Sequence, residues 1–404
     1  MKTRIAIVGS GPAGLMAATV LSESMRADLE IFLFEKRAGL GRKLLIAGSS
    51  GLNISHDCTP REFAEHYTRN HSEWPLQRWE EIFKAYGPEL WVQFIEEELE
   101  METFVGTSQR YFVREMKASG LLKRWTERLK QRGVTFVSGH ELQAIECVGS
   151  DVSMSGARLK LSGEWKAFEQ VVLALGGGSW ENESPQWPKI LNQIGVKTAN
   201  FEASNVGFEV EWAPGFLKEA EGKPLKNITL KTSRGEKSGE LMITSYGLEG
   251  TPMYFLGSAE LVHLDLKPGL SLPEIKEKLT RVKENLSPLR RATKTLNLSE
   301  EALALIFHHA PAAVKSDLNA FAEILKNFPV QLKQPRPLSE AISSRGGVKL
   351  SEVTPALALK ICPQIYCTGE MLDWDAPTGG FLIQGAVSTA HWAATEILKR
   401  LPPV

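Results

Sequence analysis

The sequence predicts an α/β fold in which a parallel-sheet domain is interrupted by a β-rich, barrel-like insertion and then by a small helical domain. Three observations predict it. The N-terminus reads as strand, glycine-rich turn and helix in "IAIVGSGPAGLMAATVLS". Apolar strand-like runs recur ahead of polar or glycine-rich turns at "LEIFLFE", "FEQVVLALGGGS" and "QIYCTGE", as expected of strands buried on both faces. Between them the pattern changes to short alternating strands and afterwards to helical periodicity.

The first strand, Ile5 to Val8, runs into Gly9-x-Gly11-Pro12-Ala13-Gly14 and a helical apolar pattern at Leu15, Ala18, Val20 and Leu21. Gly9 permits the tight turn, Gly11 removes a side chain that would block a pyrophosphate, and Gly14 lets helix and strand approach. The amides at the helix start then face phosphate oxygens at the positive end of the helix dipole. The second strand ends at Glu35, 21 residues past Gly14, where an acid accepts hydrogen bonds from a ribose. Strand, turn, helix, strand and acid together read as a Rossmann-like domain of the FAD/NAD(P)-binding kind.

After Glu35 comes "KRAGLGRKLLIAGSSGLNISH", glycine-rich and basic through Lys36, Arg37, Arg42 and Lys43. A domain for NAD alone proceeds from its ribose acid into the next helix. A loop of this kind suits a longer cofactor that continues toward a flavin ring, although a solvated glycine loop has the same composition. Gly176 and Gly177, after the third strand, bring backbone close to that cofactor. The last strand leads through "GEMLDWDAPTGG" to a helix starting near Gly379, whose dipole can point at an electron-rich flavin edge. The acids of this stretch, Glu370, Asp373 and Asp375, have no histidine at ligand spacing, so no metal site is read here.

The 404 residues, 43% of them hydrophobic, can bury more than one core, so two or three domains are expected. The expected division is an FAD-domain first part over 1–196, with a helical insertion at about 60–105, a β-rich insertion over 197–270, a helical insertion over 271–333, and the second part of the FAD domain over 334–404. A net charge of -1 gives no global polyanion-binding surface. Cys58, Cys147, Cys362 and Cys367 lack C-x-x-C spacing and are few for a disulfide framework. Cys362 and Cys367 are read as packing residues, and a reduced, cytoplasmic location is expected. The immediate entry into a strand leaves no room for a signal peptide, and no apolar run is of membrane-spanning length.

These segments resemble the BaiN-like flavoprotein family of FAD-dependent oxidoreductases, which has a glutathione-reductase-type FAD domain. The resemblance covers nearly the whole chain, on "GSGPAG", "GRKLLIAGSSGLNISH", "VREMKASGLLKRW", "LALGGGSW", "SNVGFEVEW", "GKPLKN", "SEAISSRGGVKL" and "GEMLDWDAPTGGFL". It implies FAD held by the Gly9 to Gly14 turn, its adenosine ribose held by Glu35, and a flavin region bordered by Arg42, Lys43, Gly48 and Asn53. Leu142 meets adenine through its backbone, Glu370 and Asp373 stand on the ribityl and flavin side, and Gly379, Gly380 and Phe381 lie at the ring. The chain departs from the family's pattern at Ser49 and Ser50, at Leu52 where some relatives have cysteine, at Val113 where proline is common, and in "ENESPQWPKI" after the third strand.

The catalytic candidates are Lys117, Asn205, Tyr246 and His56, polar residues in family-matching segments that equally suit local capping. His308 and His309 are adjacent and point to different helix faces, which disfavours a metal pair. Arg290, Arg291 and Lys294 form a basic patch that reads as a solvated face and would also serve an RNA substrate. Only one full dinucleotide fingerprint is present, so a nicotinamide donor, NAD(P)H, or oxygen as acceptor docks transiently. The expected function is hydride transfer between a small-molecule substrate, or RNA, and FAD. The resemblance offers amine oxidation and reduction of an rRNA uridine as chemistries; a flavin-binding protein without efficient turnover is the reading from another class.

Overall fold

The computed structural model describes residues 2–402 except 49–50, 69–72, 149–155, 182, 233–234, 257–260 and 283–284. Ser49, Ser50 and Asn182, at which the chain departs from the family's turns, lie outside the described residues. The chain divides into two compact units, 1–202 with 343–404, and 203–342.

The first unit begins with β1 (Thr3–Val8), α1 (Pro12–Glu23), β2 (Leu29–Glu35), α2 (Arg42–Ala47) and β3 (Asn53–His56). Helices α3 (Pro60–Thr68), α4 (Leu76–Ala85) and α5 (Pro88–Gln93) follow, and a π-helical turn, Phe94–Glu98, continues α5. Next come β4 (Thr103–Val105), β5 (Arg110–Val113), α6 (Ala118–Gln131), β6 (Thr135–Ser138), β7 (Leu142–Val148), β8 (Gly156–Leu161), β9 (Glu164–Phe168), β10 (Gln170–Leu173), α7 (Trp187–Gln193) and β11 (Thr198–Ser204).

Ile5, Ala6 and Ile7 of β1, and Val171, Val172 and Leu173 of β10, are completely buried, which is why both strands read as continuous apolar runs. Gly9 follows β1 with φ +111°, and a Cβ there would stand 2.2 Å from the Ala174 carbonyl oxygen. A Cβ on Gly14 would stand 1.8 Å from the Gly9 carbonyl oxygen. Helix α1 and the ends of β1 and β10 can meet only because both positions are glycine.

The second unit contains β12 (Phe208–Glu209), α8 (Pro214–Ala220), β13 (Pro224–Thr232), β14 (Gly235–Ile243), β15 (Gly247–Glu249), α9 (Thr251–Leu256), β16 (Leu261–Asp265), helices α10 (Leu272–Thr280), α11 (Pro288–Thr295), α12 (Glu300–His309), α13 (Ala312–Ser316) and α14 (Leu318–Lys326), and β17 (Phe328–Gln331). Its strands form one sheet in the order β12-β15-β14-β13-β16-β17. The chain just past β17 turns back onto β12, where Glu209 N donates to Gln334 O at 2.9 Å and Lys333 N to Glu209 O at 2.8 Å. These bonds close the sheet into a barrel. Helix α10 starts on a capping box in which Ser271 Oγ accepts from Glu274 N while the Glu274 carboxylate accepts from Ser271 N. The segment expected to be β-rich also carries α8 and α9, and it shares one core with the helical segment. Phe216, Leu230, Leu241, Ile275, Leu305 and Phe321 are buried together.

Back in the first unit, β18 (Ser343–Val348), β19 (Ile365–Cys367) and α15 (Phe381–Arg400) complete the fold. The parallel sheet has the order β19-β10-β1-β2-β6. Two small antiparallel sheets, β3-β5-β4 and β7-β8-β9, accompany it. One expectation is corrected here. Cys362 is not simply a packing thiol but forms a disulfide with Cys147, with Cα atoms 5.9 Å apart and 215 residues between them in sequence. Pairing at such separation is a product of the fold and leaves no trace in cysteine spacing. Cys58 and Cys367 are free thiols.

Candidate functional site

In the parallel sheet, β2 and β6 lie on one side of β1 and β10 and β19 on the other. The switch point between β1 and β10 is where open α/β sheets form a ligand crevice, beyond the carboxyl ends of their strands. A crevice is present there, lined by Gly9, Ser10, Gly11, Glu35, Leu142 and the Ala174 to Gly177 backbone, among others. Gly11 is the N-cap of α1 and supplies no side-chain cap. A Cβ on Gly11 would meet nothing within 4 Å, so the space in front of the helix start is open.

Ser10, completely buried, ties this loop together. Its hydroxyl donates to Glu35 Oε2, its amide donates to the same oxygen at 3.2 Å, and its Oγ accepts from Gly41 N at 3.0 Å. Arg37 N donates to Glu35 Oε1 at 3.0 Å. The carboxylate is thereby fixed at the crevice wall, and Oε1, which accepts a single bond, keeps a lone pair for a ribose hydroxyl.

The basic segment after Glu35 converges on one acid. Glu181 lies 2.9 Å from Arg37, 3.4 Å from Arg42 and 3.9 Å from Lys36. Arg42 also donates to the Trp180 carbonyl at 3.0 Å, from a tryptophan held at φ 56°, a conformation that a bulky residue adopts only where its surroundings impose it. Lys43 Nζ donates to Gly177 O at 2.8 Å. Glu370 accepts from Ser344 N at 3.1 Å and Gly177 N at 3.4 Å. Burial lowers the Lys43 pKa and raises that of Glu370, and the opposite charges of the two groups partly offset both shifts. The first turn after β10 is therefore gripped from both sides by charged groups.

Helix α15 starts beside the small sheet β3-β5-β4. Its N-cap Gly380 has φ +98°, and a Cβ there would lie 2.3 Å from the Ser55 carbonyl oxygen of β3. Phe381 packs within an aromatic nest, with His56, Phe63 and His66 ring centroids at 4.9, 4.6 and 4.2 Å. Tyr67 donates its hydroxyl to the Phe381 carbonyl. Asp373 accepts from Gly346 N, within β18, at 3.1 Å and so ties that strand to the segment ahead of α15.

The structure gathers Gly9, Gly11, Glu35, Lys36, Arg42, Lys43, Leu142, Gly176 and Gly177 around the one crevice. Pro12, Ala13 and Gly14 form the first turn of α1. Glu370 touches Gly177, while Gly48 packs against Ala118 at the start of α6. Asn53, His56, Gly379, Gly380 and Phe381 belong to the neighbourhood of β3 and the α15 start. Lys117 is exposed at the N-cap of α6. Asn205 and Tyr246 belong to the second unit, where the Asn205 carbonyl accepts from Ile342 N and the Tyr246 hydroxyl donates to Glu249. Sequence reasoning missed Ser10, Glu181, Arg110 and Trp187. The first stands at a variable position of the fingerprint, and the others reach their places through tertiary folding.

Three polar atoms test whether these surroundings fit FAD. Asn53 Oδ1, Ser179 Oγ and Trp187 Nε1 are buried with no hydrogen-bond partner among the described residues, and Trp187 lines the crevice. Such atoms ask for a ligand that hydrogen-bonds. With the open helix start, the fixed Glu35 and the partly buried Glu370, the residues present fit a cofactor with a pyrophosphate and several hydroxyls. Among the described residues no group of three or more His, Cys, Asp or Glu side chains is arranged to hold a metal ion, and no helix is long and apolar enough to cross a membrane.

Comparison with known proteins bears on this arrangement. A family model described as "HI0933-like protein Rossmann domain" matches residues 3–396. A 3-dehydro-bile acid Δ(4,6)-reductase of Clostridium scindens is 23% identical over 98% of this chain and 99% of its own length. Among solved structures, 3-ketosteroid Δ1-dehydrogenase from Sterolibacterium denitrificans aligns with a TM-score of 0.54 at 10% identity, covering 98% of this chain and 99% of that one. A flavocytochrome c3 fumarate reductase aligns with a TM-score of 0.51 at 13% identity, covering 98% of this chain and 78% of that one. At such identities the structural likeness is one of fold.

Proposed function

Because the chain belongs to the HI0933-like Rossmann family and is an FAD-dependent oxidoreductase, we propose that it reduces a carbon–carbon double bond conjugated to a carbonyl in a small molecule. The observation that carries the cofactor half of this reading is the convergence of the α1 start, Glu35, Lys43 and the Gly176-Gly177 turn on one crevice. The substrate half is supported by the reductase relative, which matches this chain over nearly its whole length.

Bound FAD supplies the two-electron carrier of such a reaction. The chain's own residues bind and orient it. The α1 start and the Gly9 to Gly14 turn seat the pyrophosphate, Glu35 takes the ribose, and Glu370, held by Ser344 N and Gly177 N, takes hydroxyls of the ribityl chain. In the overall balance a hydride reaches the carbon β to the carbonyl and a proton reaches the α carbon. Of the two catalytic candidates in this unit, Lys117 is exposed, whereas His56 stands against Phe381 at the start of α15, which favours His56 over Lys117 as the proton carrier. With one dinucleotide fingerprint in the chain, the nicotinamide donor docks transiently.

The experiment is reconstitution with FAD, anaerobic reduction with NADPH or NADH, and mixing with a 3-oxo-4,6-diene bile acid. The flavin absorbance should return as the steroid gains two hydrogens. Reduced enzyme that ignores the dienone, while oxidised enzyme releases hydrogen peroxide with small amines, would replace this reading with amine oxidation. Appearance of dihydrouridine in unmodified rRNA would replace it with RNA reduction.

A further inference from the structure

We propose that the first unit carries a second ligand site, a groove along the far half of α1 that binds a small organic ammonium ion. The groove has a volume of about 410 Å³ and shares no lining residue with the crevice at the α1 start. Small-molecule sites occupy roughly 300–1,000 Å³. Its residues on α1 run from Met16 to Glu23, whereas those of the crevice stop at Gly11. At a rise of about 1.5 Å per residue, Glu23 stands about 18 Å along the chain's axis from Gly11.

Met16, Val20, Leu90 and Phe94 give the groove an apolar lining. Tyr86 and His391 add an aromatic wall, their rings stacked with centroids 4.3 Å apart. Tyr86 is only 7% exposed. Its backbone carbonyl accepts from Ser388 Oγ at 2.7 Å and from Gln384 Nε2 at 3.3 Å, but its hydroxyl has no hydrogen-bond partner among the described residues. A phenol buried so far ordinarily finds one. This hydroxyl is left for a ligand in the groove that its residue lines.

The rim sets the sign of that ligand. Glu23, Glu97 and Glu98 stand along it, and among the described residues no lysine or arginine lines the groove. His391 adds no charge near neutrality, because burial lowers its pKa to about 4. Arg128 is the one cation paired with these acids among the described residues, and it is shared between Glu23, at 3.0 Å, and Glu98. Glu97 accepts from the neutral Gln93 amide at 3.0 Å. Three carboxylates against one guanidinium leave negative charge in excess. The Glu23 charge also reaches Tyr86 and adds to the burial that raises its pKa, so the phenol stays protonated and its oxygen can accept from an N–H donor. An anion is repelled here, whereas an ammonium ion with an apolar body meets the hydroxyl, the acids and the lining together. An independent feature marks the same place. Glu97 and Glu98 lie on the π-helical turn Phe94–Glu98, closed by Leu99 N donating to Phe94 O at 3.2 Å, and such turns are rare and recur at functional sites.

The test titrates full-length, FAD-loaded protein with phenethylammonium chloride by isothermal calorimetry, with phenethyl alcohol and phenylacetate as neutral and anionic controls. The ammonium ion should bind one-to-one with a Kd below about 1 mM, and at least about tenfold tighter than either control. Tyr86→Phe should weaken it roughly tenfold, and Glu97→Gln, at an exposed position, about two- to fivefold. Apoprotein should bind it equally, since the two sites share no residue. No saturable binding, or phenylacetate bound as tightly as the ammonium ion, would overturn the proposal. So would binding that neither substitution alters; an accompanying change in flavin absorbance would then place the amine at the cofactor. A chain that binds no amine and self-associates until Leu90→Glu separates it would give the groove to a second copy and equally overturn the proposal.

Discussion

Replacing Glu370 by glutamine keeps the side chain's shape and removes its charge. In the structure this carboxylate accepts from Ser344 N at 3.1 Å and from Gly177 N at 3.4 Å, and it is the largest favourable charge acting on the Lys43 ammonium. A charge-assisted bond exceeds a neutral one by about 1 kcal/mol, and the longer Gly177 contact adds little. Loss of one partner of a buried pair costs about 3–5 kcal/mol. Here Lys43 retains Gly177 O at 2.8 Å and the more remote Glu181, so a total of roughly 2–3 kcal/mol of fold stability is expected. The effect on the cofactor is separate. If the carboxylate accepts a hydroxyl of the ribityl chain, one charged hydrogen bond is lost, about 1.5–3 kcal/mol, or roughly 10- to 100-fold in FAD affinity. Thermal unfolding of apoprotein reads the first quantity and fluorescence titration with FAD the second. A variant that loses stability but binds FAD like wild type would refute the hydroxyl contact. One that keeps FAD and loses turnover alone would assign Glu370 a proton-transfer role.

Two further outcomes follow from the same geometry. Gly14→Ala brings a Cβ to within 1.8 Å of the Gly9 carbonyl oxygen, forcing α1 off β1; apoprotein stability should fall by about 1–3 kcal/mol, and unchanged thermal unfolding would contradict the packing described. His391 stacks on Tyr86 with ring centroids 4.3 Å apart, and burial lowers its pKa to about 4. Between that value and the unfolded value near 6.5 the unfolded chain binds the additional proton, so stability should be full above pH 6.5 and decline as pH falls toward 4. The decline is at most on the order of 3 kcal/mol, and His391→Phe should flatten that part of the profile.

The legible part of this protein is the part encoded locally. Gly9, Gly11 and Gly14 answer steric demands made within one strand-turn-helix, and Glu35 follows at the spacing set by one helix and one strand. Both could be placed before the fold was known. Ser10 could not, because the fingerprint leaves its position free, although its hydroxyl links Glu35 to Gly41. Arg110 was hidden for another reason. Its position depends on the β3–β5 pairing and on the approach of α15, more than 260 residues away in sequence. Glu181 likewise meets Lys36, Arg37 and Arg42 only once the turn after β10 folds across them. In the second unit, periodicity announced strands and helices, but it does not say against what an apolar face packs. The common core of Leu230, Leu241, Ile275 and Phe321 made one unit where two had been expected.

The central claim, that FAD lies across the α1 start, is tested most directly at Gly11. This residue has extended backbone, φ -73° and ψ -178°, which valine adopts readily, and a Cβ there meets nothing within 4 Å. Gly11→Val should therefore leave apoprotein unfolding unchanged while filling the space that a pyrophosphate needs. Titration of both apoproteins with FAD should show saturable binding and a perturbed flavin spectrum for wild type, and binding weakened at least about 100-fold for the variant, the loss of several phosphate contacts. Equal FAD affinity in wild type and variant would contradict the claim and place the cofactor elsewhere.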